Sequence, residues 1–287
     1  MIFGVNGQDG YYLSQWLQQK GYTDILGYGR PAHPDDMDIT DLSKVSTAIQ
    51  KHQPAFIFHL AANSTTRHEA LFDNHATIST GALNILESVR LHSPHTRVFI
   101  SGSGLQFVNN GNPIDENTAF EARDAYSVSR IHSVYAARYF RSLGVKAYVG
   151  YLFNHDSPLR SVRHVSKKIS AAAKEVAAGK REKIEIGDIR TVKEWTFAGD
   201  VVKAIWTLVN NEDHFEAVIG SGQGYSIQDW LELCFGKLGL HWEDHVSVKK
   251  DFIPEYDRLI SRPDLIKSMG WSPEVSFSSL ADMMLNS

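Results

Sequence analysis

Three glycines at intervals of three, Gly4, Gly7 and Gly10, constrain this chain more than any other stretch. The apolar residues Met1, Ile2 and Phe3 lead into them, and Tyr11, Tyr12, Leu13, Trp16 and Leu17 follow at the spacing of one helix face. Strand, glycine turn and helix, in that order, open the βαβ unit that holds a dinucleotide. Gly4 is expected to make the tight turn, Gly7 to let the backbone approach a pyrophosphate, and Gly10 to let helix and strand pack closely. The free N–H groups at the helix start then face the phosphates. The spacing is GxxGxxG rather than GxGxxG, so a tight β–α turn without ligand is the plainer alternative. Only three residues stand before Gly4, where a strand has roughly five or six, so the chain is expected to begin inside its first strand.

With 287 residues, the chain can bury a sizeable core in one large unit or two interleaved ones. A formal net charge of −4 gives no basic field to recruit nucleic acid or anionic lipid. The single cysteine, Cys234, lies in the apolar run Trp230-Leu-Glu-Leu-Cys-Phe235 and reads as buried packing. It can form no internal disulfide, which fits a reducing cytoplasm. No apolar run approaches the ~20 residues of a membrane span, and no basic leader stands before an apolar stretch. The expectation is a cytoplasmic protein that engages neither nucleic acid nor membrane and holds no metal.

Along the chain, strands and helices alternate. Tyr22 to Gly29 holds a short strand and Ser43 to His52 a helix, announced by Met37-Asp-Ile-Thr-Asp-Leu42. Phe56 to Ala62 is a continuous apolar run, the mark of a parallel strand buried on both faces, and it ends in Asn63-Ser64. A helix over Thr77–Leu91, a strand over Arg97–Ser103, a loop at Asn109–Glu116, a helix over Tyr126–Leu143 and a strand over Val145–Phe153 follow. This order predicts a Rossmann-like, doubly wound parallel sheet. After Pro158 the pattern changes to a long basic helix, Val162 to Gly179, a short strand, Lys183–Ile186, and a helix ending at Val209. Ala217-Val-Ile-Gly-Ser-Gly222 resembles a strand returning to the main sheet, and further helices start at Ser226, Asp264 and Leu280. The second half therefore reads as a smaller, mostly helical substrate lobe.

Ser103 ends a strand, and Tyr126 and Arg130 stand four apart at the start of the next helix, hence on one face. A fixed cation beside a tyrosine favours its phenolate. Such a tyrosine can exchange a proton with a sugar hydroxyl or carbonyl while a nicotinamide exchanges a hydride, and Ser103 can hold the reacting oxygen. Alone, the pair also fits an ordinary surface neighbour contact; joined to the glycine turn and Asn63 it reads as a site. Arg30 lies about twenty residues past the glycine turn, where such units meet the adenosine ribose. An acid there suits a free 2′-hydroxyl, whereas arginine suits a 2′-phosphate; a solvated loop arginine is the alternative.

The motifs Gly4-Val-Asn-Gly-Gln-Asp-Gly10, Asp38-Ile-Thr-Asp41, His59-Leu-Ala-Ala-Asn63, Ala125-Tyr-Ser-Val-Ser129 and Phe153-Asn-His-Asp-Ser-Pro158 carry a family resemblance, continued by Ser166-Lys-Lys-Ile169 and Lys193-Glu-Trp195. The chain resembles the extended short-chain dehydrogenase/reductases that act on nucleotide sugars, in the branch of GDP-mannose 4,6-dehydratase and GDP-4-keto-6-deoxymannose reductase. The resemblance implies NADP(H), in preference to NAD(H), held by Gly4, Gly7, Gln8, Asp9, Gly10, Arg30, Asp38, Ile39, Leu60, Ala61, Ala62, Tyr126 and Arg130, with His155 and Arg160 close by. It places Asn63, Asn154, Lys168, Lys193 and Arg258 on the side of a GDP-linked sugar. Residues 1–155, with a returning segment near 196–221, are the implied cofactor domain, and 156–287 an interleaved nucleotide-sugar lobe. A homodimer or homotetramer through the helices Thr77–Leu91 and Tyr126–Leu143 is implied as well.

Three departures stand against that pattern. The family's lysine is here Arg130, a planar fork in place of a compact ammonium. The dehydratases carry a glutamate two residues past the serine or threonine of the triad, to remove the sugar C5 proton; here that position is Leu105. The segment that faces guanosine reads Ile253-Pro-Glu-Tyr256, with Arg258 and Arg262 beyond it. Leucine moves no proton, so the leading expectation is an NADPH-dependent reductase of a GDP-linked 4-keto-6-deoxy sugar. The alternatives are a dehydratase with another base, for which His132 and Gln106 are poor candidates, an epimerase, and a non-catalytic nucleotide-sugar-binding subunit.

Overall fold

The glycine turn sets the first crossover. In the computed structural model, which describes residues 1–33 and 35–287, β1 (Ile2–Phe3) runs through Gly4 into α1 (Gln8–Gln19), and β2 (Gly27–Tyr28) returns parallel to β1. Asp41 caps α2 (Leu42–His52), accepting the Ser43 and Lys44 N–H groups at 2.9 and 3.1 Å, and β3 (Phe56–His59) follows. α3 (Leu71–Asn74) continues through a π-helical segment, His75–Thr80, into α4 (Gly81–His92). β4 (Arg97–Ser103), α5 (Ala125–Ser142) and β5 (Lys146–Leu152) complete the alternation. Next come β6 (His155–Asp156), α6 (Val165–Ala177), β7 (Ile184–Ile186), β8 (Val192–Glu194), β9 (Thr196–Phe197) and α7 (Ala198–Val209). β10 (Glu216–Ile219), β11 (Gly224–Ser226), α8 (Ile227–Gly236), β12 (Val246–Val248), β13 (Arg258–Leu259), α9 (Asp264–Ser268) and α10 (Phe277–Leu285) close the chain.

Six strands form one sheet in the order β10-β5-β4-β3-β1-β2, and every pairing in it is parallel. The chain winds outward from β1 to β2 on one side and from β3 to β10 on the other. The reversal falls between β1 and β3, and their carboxyl ends carry the glycine turn and Leu60–Asn63. In open α/β sheets ligands bind at such a switch point. Both faces are covered, which is why the inner strands are mostly apolar, with polar His59, Ser101 and Ser103 toward their carboxyl ends. Val45, Ile49, Ile85, Val89, Val134 and Phe140, from α2, α4 and α5, cover one face. Leu13, Leu17, Val201, Ile205 and Leu208, from α1 and α7, cover the other.

The returning strand is β10, which pairs with β5 from Glu216↔Val149 to Ile219↔Leu152. Glu216 fastens that edge to α5: Arg138 donates to it at 2.7 and 2.9 Å, and Arg141 and the Tyr151 hydroxyl also donate. A separate core gathers α6, α8 and α10 around Ile169, Leu231, Leu280 and Met284. Within it Trp195 stacks on Trp230, ring centroids 4.6 Å apart. Small sheets stitch this part together: β11-β8-β13, β12-β7 and β6-β9. Strands of two or three residues are too short to show a period of two, so all but one of these escape sequence reading. For the same reason the strand expected over Tyr22–Gly29 is only Gly27–Tyr28. Cys234 is a free, fully buried thiol. Among the described residues no helix is long and apolar enough to cross a membrane, and no cluster of His, Cys, Asp and Glu could hold a metal ion.

Candidate active site

Gly4 and Gly10 meet the steric tasks expected of them, the tight turn and the close packing of helix on strand. Gly4 has φ +93°, and a Cβ there would sit 2.7 Å from the Ala61 nitrogen, so both the turn and the passage of β3 exclude a side chain. A Cβ on Gly10 would come within 2.3 Å of the Gly4 carbonyl oxygen and 2.6 Å of the Val5 Cα. Gly7 is different: its Cβ would meet only the Gly4 oxygen, at 3.2 Å. It is the N-cap of α1, no side chain caps the helix there, and the residue is exposed. The first-turn N–H groups of α1 therefore face an open cradle of the kind that takes an anion such as a pyrophosphate.

Around this cradle lie most of the residues proposed for a cofactor. Leu60, Ala61 and Ala62 leave β3 beside Gly4, with the Leu60 N–H donating to the Phe3 carbonyl at 2.9 Å. Arg30 is exposed just past β2. Asp38 accepts the Thr40 N–H and hydroxyl at 2.9 and 2.8 Å, and Ile39 is buried against Gly81.

Asp9, in the first turn of α1, is tied to the segment after β5. The His155 Nε2–H donates to the Asp9 carboxylate at 2.9 Å, and the Nδ1–H donates to the Phe153 carbonyl at 2.7 Å. Both partners can only accept, so the ring fits as an imidazolium. Burial works to raise the Asp9 carboxyl, but the charge and hydrogen bond of His155, with Arg160 behind it, outweigh burial and hold it at about 2. For His155 burial works downward, and the Asp9 charge and hydrogen bond win, raising it. Ser157 donates to the Gln8 side-chain oxygen at 2.7 Å. Arg160 donates to the His155 carbonyl at 2.8 Å and pairs with Asp156 at 3.3 Å. Lys193, buried, stands 3.9 Å from Asp156 and 4.2 Å above the Trp195 ring.

The candidate catalytic residues sit at the carboxyl end of β4 and the start of α5. Ser103 is buried, and its Oγ accepts the Leu105 N–H at 3.2 Å within the short 3-10 turn Gly104–Gln106. That bond uses the oxygen as acceptor and leaves its O–H proton to be donated. Asp124 caps α5, taking the N–H groups of Tyr126 and Ser127 at 2.8 Å each, and so fixes where Tyr126 stands. The Arg130 guanidinium carbon lies 4.9 Å from the Tyr126 ring centroid. Arg130 is only 4 % exposed and turns toward β4, not toward the open edge. His132, by contrast, lies exposed on α5 against His75, away from the reaction geometry.

A cleft of about 260 Å³ opens beside these residues, lined in part by Thr66, Leu105, Asp124, Glu255 and Tyr256. It is bounded by the turn after Ser103 and by the cap of α5, two residues before Tyr126. The Thr66 hydroxyl donates to Glu255 at 2.5 Å, and no cation pairs with Glu255 among the described residues. The Tyr256 hydroxyl donates to Asn154 at 3.1 Å, and burial pushes that phenol up. Of the residues expected on the sugar side, Asn154 thus borders the cleft through Tyr256, and Asn63 stands between β3 and Thr66. Lys168 instead donates to the Glu185 carbonyl at 2.5 Å, and Arg258 is exposed on β13 with its carbonyl held by Asn109. Neither Lys168 nor Arg258 lines this cleft among the described residues. Sequence reading missed Thr66 as well as Asp124, although Asp124-x-x-Ser127 is a legible capping pair.

A family model described as GDP-mannose 4,6 dehydratase matches residues 31–284. GDP-mannose 4,6 dehydratase 1 of Arabidopsis thaliana is 30% identical over 319 residues, covering 100% of this chain and 88% of that protein. The Homo sapiens GDP-mannose 4,6 dehydratase is 25% identical over 334 residues, covering 100% of this chain and 90% of its own. Among solved structures, RMD from Pseudomonas aeruginosa complexed with NADPH has a TM-score of 0.83 at 21% identity, covering 99% of this chain and 97% of that one. The dTDP-glucose 4,6-dehydratase of Bacillus anthracis in complex with NAD has a TM-score of 0.86 at 16% identity, covering 99% and 94%. At these identities the structures speak for the fold alone.

Proposed function

The chain belongs to the GDP-mannose 4,6-dehydratase family, and on that footing we propose that it dehydrates a GDP-linked hexose by transient oxidation at C4 with bound NADP(H). The open cradle at Gly7, and Arg30 beyond β2, fit the pyrophosphate and 2′-phosphate of that cofactor. When bound, the nicotinamide supplies a hydride acceptor and returns the hydride later. Ser103 donates its O–H to the sugar O4, and Tyr126 takes the O4 proton as C4 becomes a ketone. A base then removes the C5 proton, the C6 hydroxyl leaves with that proton as water, and the 4-keto-5,6-ene left behind regains the hydride at C6 and, at C5, the proton held by Tyr126. Glu255 is assigned that base. The other carboxylate of the cleft, Asp124, is committed to capping α5.

The observation that carries this reading is Glu255, a carboxylate without a cation partner in the cleft bounded by the turn after Ser103 and the cap before Tyr126. Leu105 in that same turn favours a second reading, reduction of a 4-keto-6-deoxy sugar, for which Ser103 and Tyr126 suffice. One pair of incubations separates the two. GDP-mannose with NADP⁺ should lose the mass of one water with no net change in reduced nicotinamide. If instead only the 4-keto-6-deoxy sugar turns over, consuming NADPH one for one, the dehydratase reading is wrong. By the same reading a second copy pairs through α4 and α5, whose outer faces expose Leu91, Tyr135 and Tyr139; sedimentation of the intact chain tests this.

A further inference from the structure

Arg130 is bound from the inside. Its Nη1 donates to the Ser101 carbonyl and, at 2.7 Å, to the Ser101 Oγ. The Ser101 hydroxyl passes its own proton on to the His59 carbonyl at 3.0 Å. Ser101 and Ser103 are two apart on β4 and so share a face of the sheet. One guanidinium nitrogen, Nη1, is thus tied to the strand interior while the guanidinium carbon lies 4.9 Å from the Tyr126 ring centroid. Its Nε is buried without a hydrogen-bond partner among the described residues, and the residue, only 4 % exposed, is tied to the interior of β4 and not to the open edge of the sheet. A lysine ammonium could make the same two contacts to Ser101, but it would present no planar guanidinium to the Tyr126 ring. His59 brings no competing charge: burial, then the Arg130 charge, push its imidazole down to about 4, and its Nε2–H donates to the Ile78 carbonyl at 3.2 Å.

We propose that Ser101 is a positioning residue: it pins Arg130 under Tyr126, so that the guanidinium orients the phenol and does not clamp the cofactor ribose. The turnover part of this rests on the C4 chemistry proposed above; the binding part does not. The test compares wild type, Ser101→Ala, Ser101→Thr and Arg130→Lys by NADPH fluorescence titration and by kcat and KM for the GDP-sugar. Ser101→Ala should lower kcat about tenfold with KM and the NADPH Kd within about twofold, because an aligned group is lost and no ligand contact is. Ser101→Thr, which keeps the hydroxyl, should restore kcat. Arg130→Lys should lose turnover while its NADPH Kd stays within about twofold, and it decides the matter if Ser101→Ala does not fold. A tenfold loss of NADPH affinity in Arg130→Lys or Ser101→Ala would overturn the proposal, as would an unchanged kcat in Ser101→Ala. If wild type turns over neither sugar, the functional reading fails, and the NADPH titrations alone still decide whether Arg130 reaches the cofactor.

Discussion

Gly10 and Gly7 look alike in the sequence and should behave differently when each is given a methyl group. At Gly10 the new Cβ would stand 2.3 Å from the Gly4 oxygen and 2.6 Å from the Val5 Cα, more than 1 Å inside ordinary contact. Both neighbours are backbone, so no side chain can swing away; α1 must lift off the turn. Overpacking against a rigid neighbour costs about 2–3 kcal/mol, a fall in Tm of roughly 4–12 °C for a chain of this size. At Gly7 the Cβ would meet one oxygen at 3.2 Å, on a backbone of φ −78° and ψ 166° that alanine adopts freely. The fold then loses only cap quality, up to about 1 kcal/mol. The methyl nevertheless stands where the pyrophosphate must come in. Gly7→Ala should therefore melt within roughly 4 °C of wild type yet bind NADPH about tenfold more weakly or worse, a loss of about 1.4 kcal/mol. Gly10→Ala should lose both. Thermal melts without ligand and NADPH titration of the two variants read this directly. If Gly10→Ala melts with wild type, or Gly7→Ala binds NADPH normally, the division of labour argued for this turn is wrong.

Tyr126→Phe should cut turnover about a hundredfold or more, because a proton relay is lost, while leaving the NADPH Kd within about twofold; equal activity would remove the proton role. Arg30→Ala should weaken NADP(H) about 10- to 100-fold, the worth of a charge-assisted phosphate contact, and leave NAD(H) nearly unchanged; equal losses would cancel the 2′-phosphate assignment. Glu255→Gln should abolish water loss from GDP-mannose, and mass spectrometry showing normal dehydration would exonerate that carboxylate. The Asp9–His155 pair sets a pH window. Asp9, held at about 2, contributes stability above its ordinary 3.8 and loses it as pH falls through about 2. His155, raised, contributes fully below its ordinary 6.5 and loses it as pH rises through its elevated value. Asp9→Asn should accordingly lower Tm most between pH 4 and 6.5 and flatten both flanks; a uniform drop at all pH values would contradict the ion pair.

The parts of this molecule that announce themselves in sequence are those governed by neighbours along the chain. Gly4, Gly7 and Gly10 act within one turn, Tyr126 and Arg130 within one helix, and the apolar runs at 56, 97 and 145 within single strands, so spacing alone reveals them. Partnerships across the chain leave no such trace. Asp9 and His155 are 146 residues apart, and nothing local to either residue shows that they form a pair. Thr66 and Glu255 are separated by 189. Arg130 was legible as a cation beside Tyr126, but not its inward turn onto the carbonyl and hydroxyl of Ser101, which reads in sequence as one more strand residue. The helix expected over Thr77–Leu91 already took in Thr77–Thr80, but its spacing did not show that His75–Thr80 is wound as a π-helix, a departure from the 3.6-residue period by which a helix is recognised.

The late arrival of β10 limits how this protein can be divided. A fragment that stops near residue 155 would leave the Val149–Leu152 stretch of β5 with bare amide and carbonyl groups along its outer margin. It would also leave Tyr148, Leu152 and Phe99 without the cover of α7. A margin like that is adhesive toward any other extended strand, including the same margin on a second fragment. Shortened forms made to isolate the glycine-turn half should therefore clump unless residues through Ile219 are kept or supplied as a separate piece. Split-protein designs have a usable seam only beyond that point.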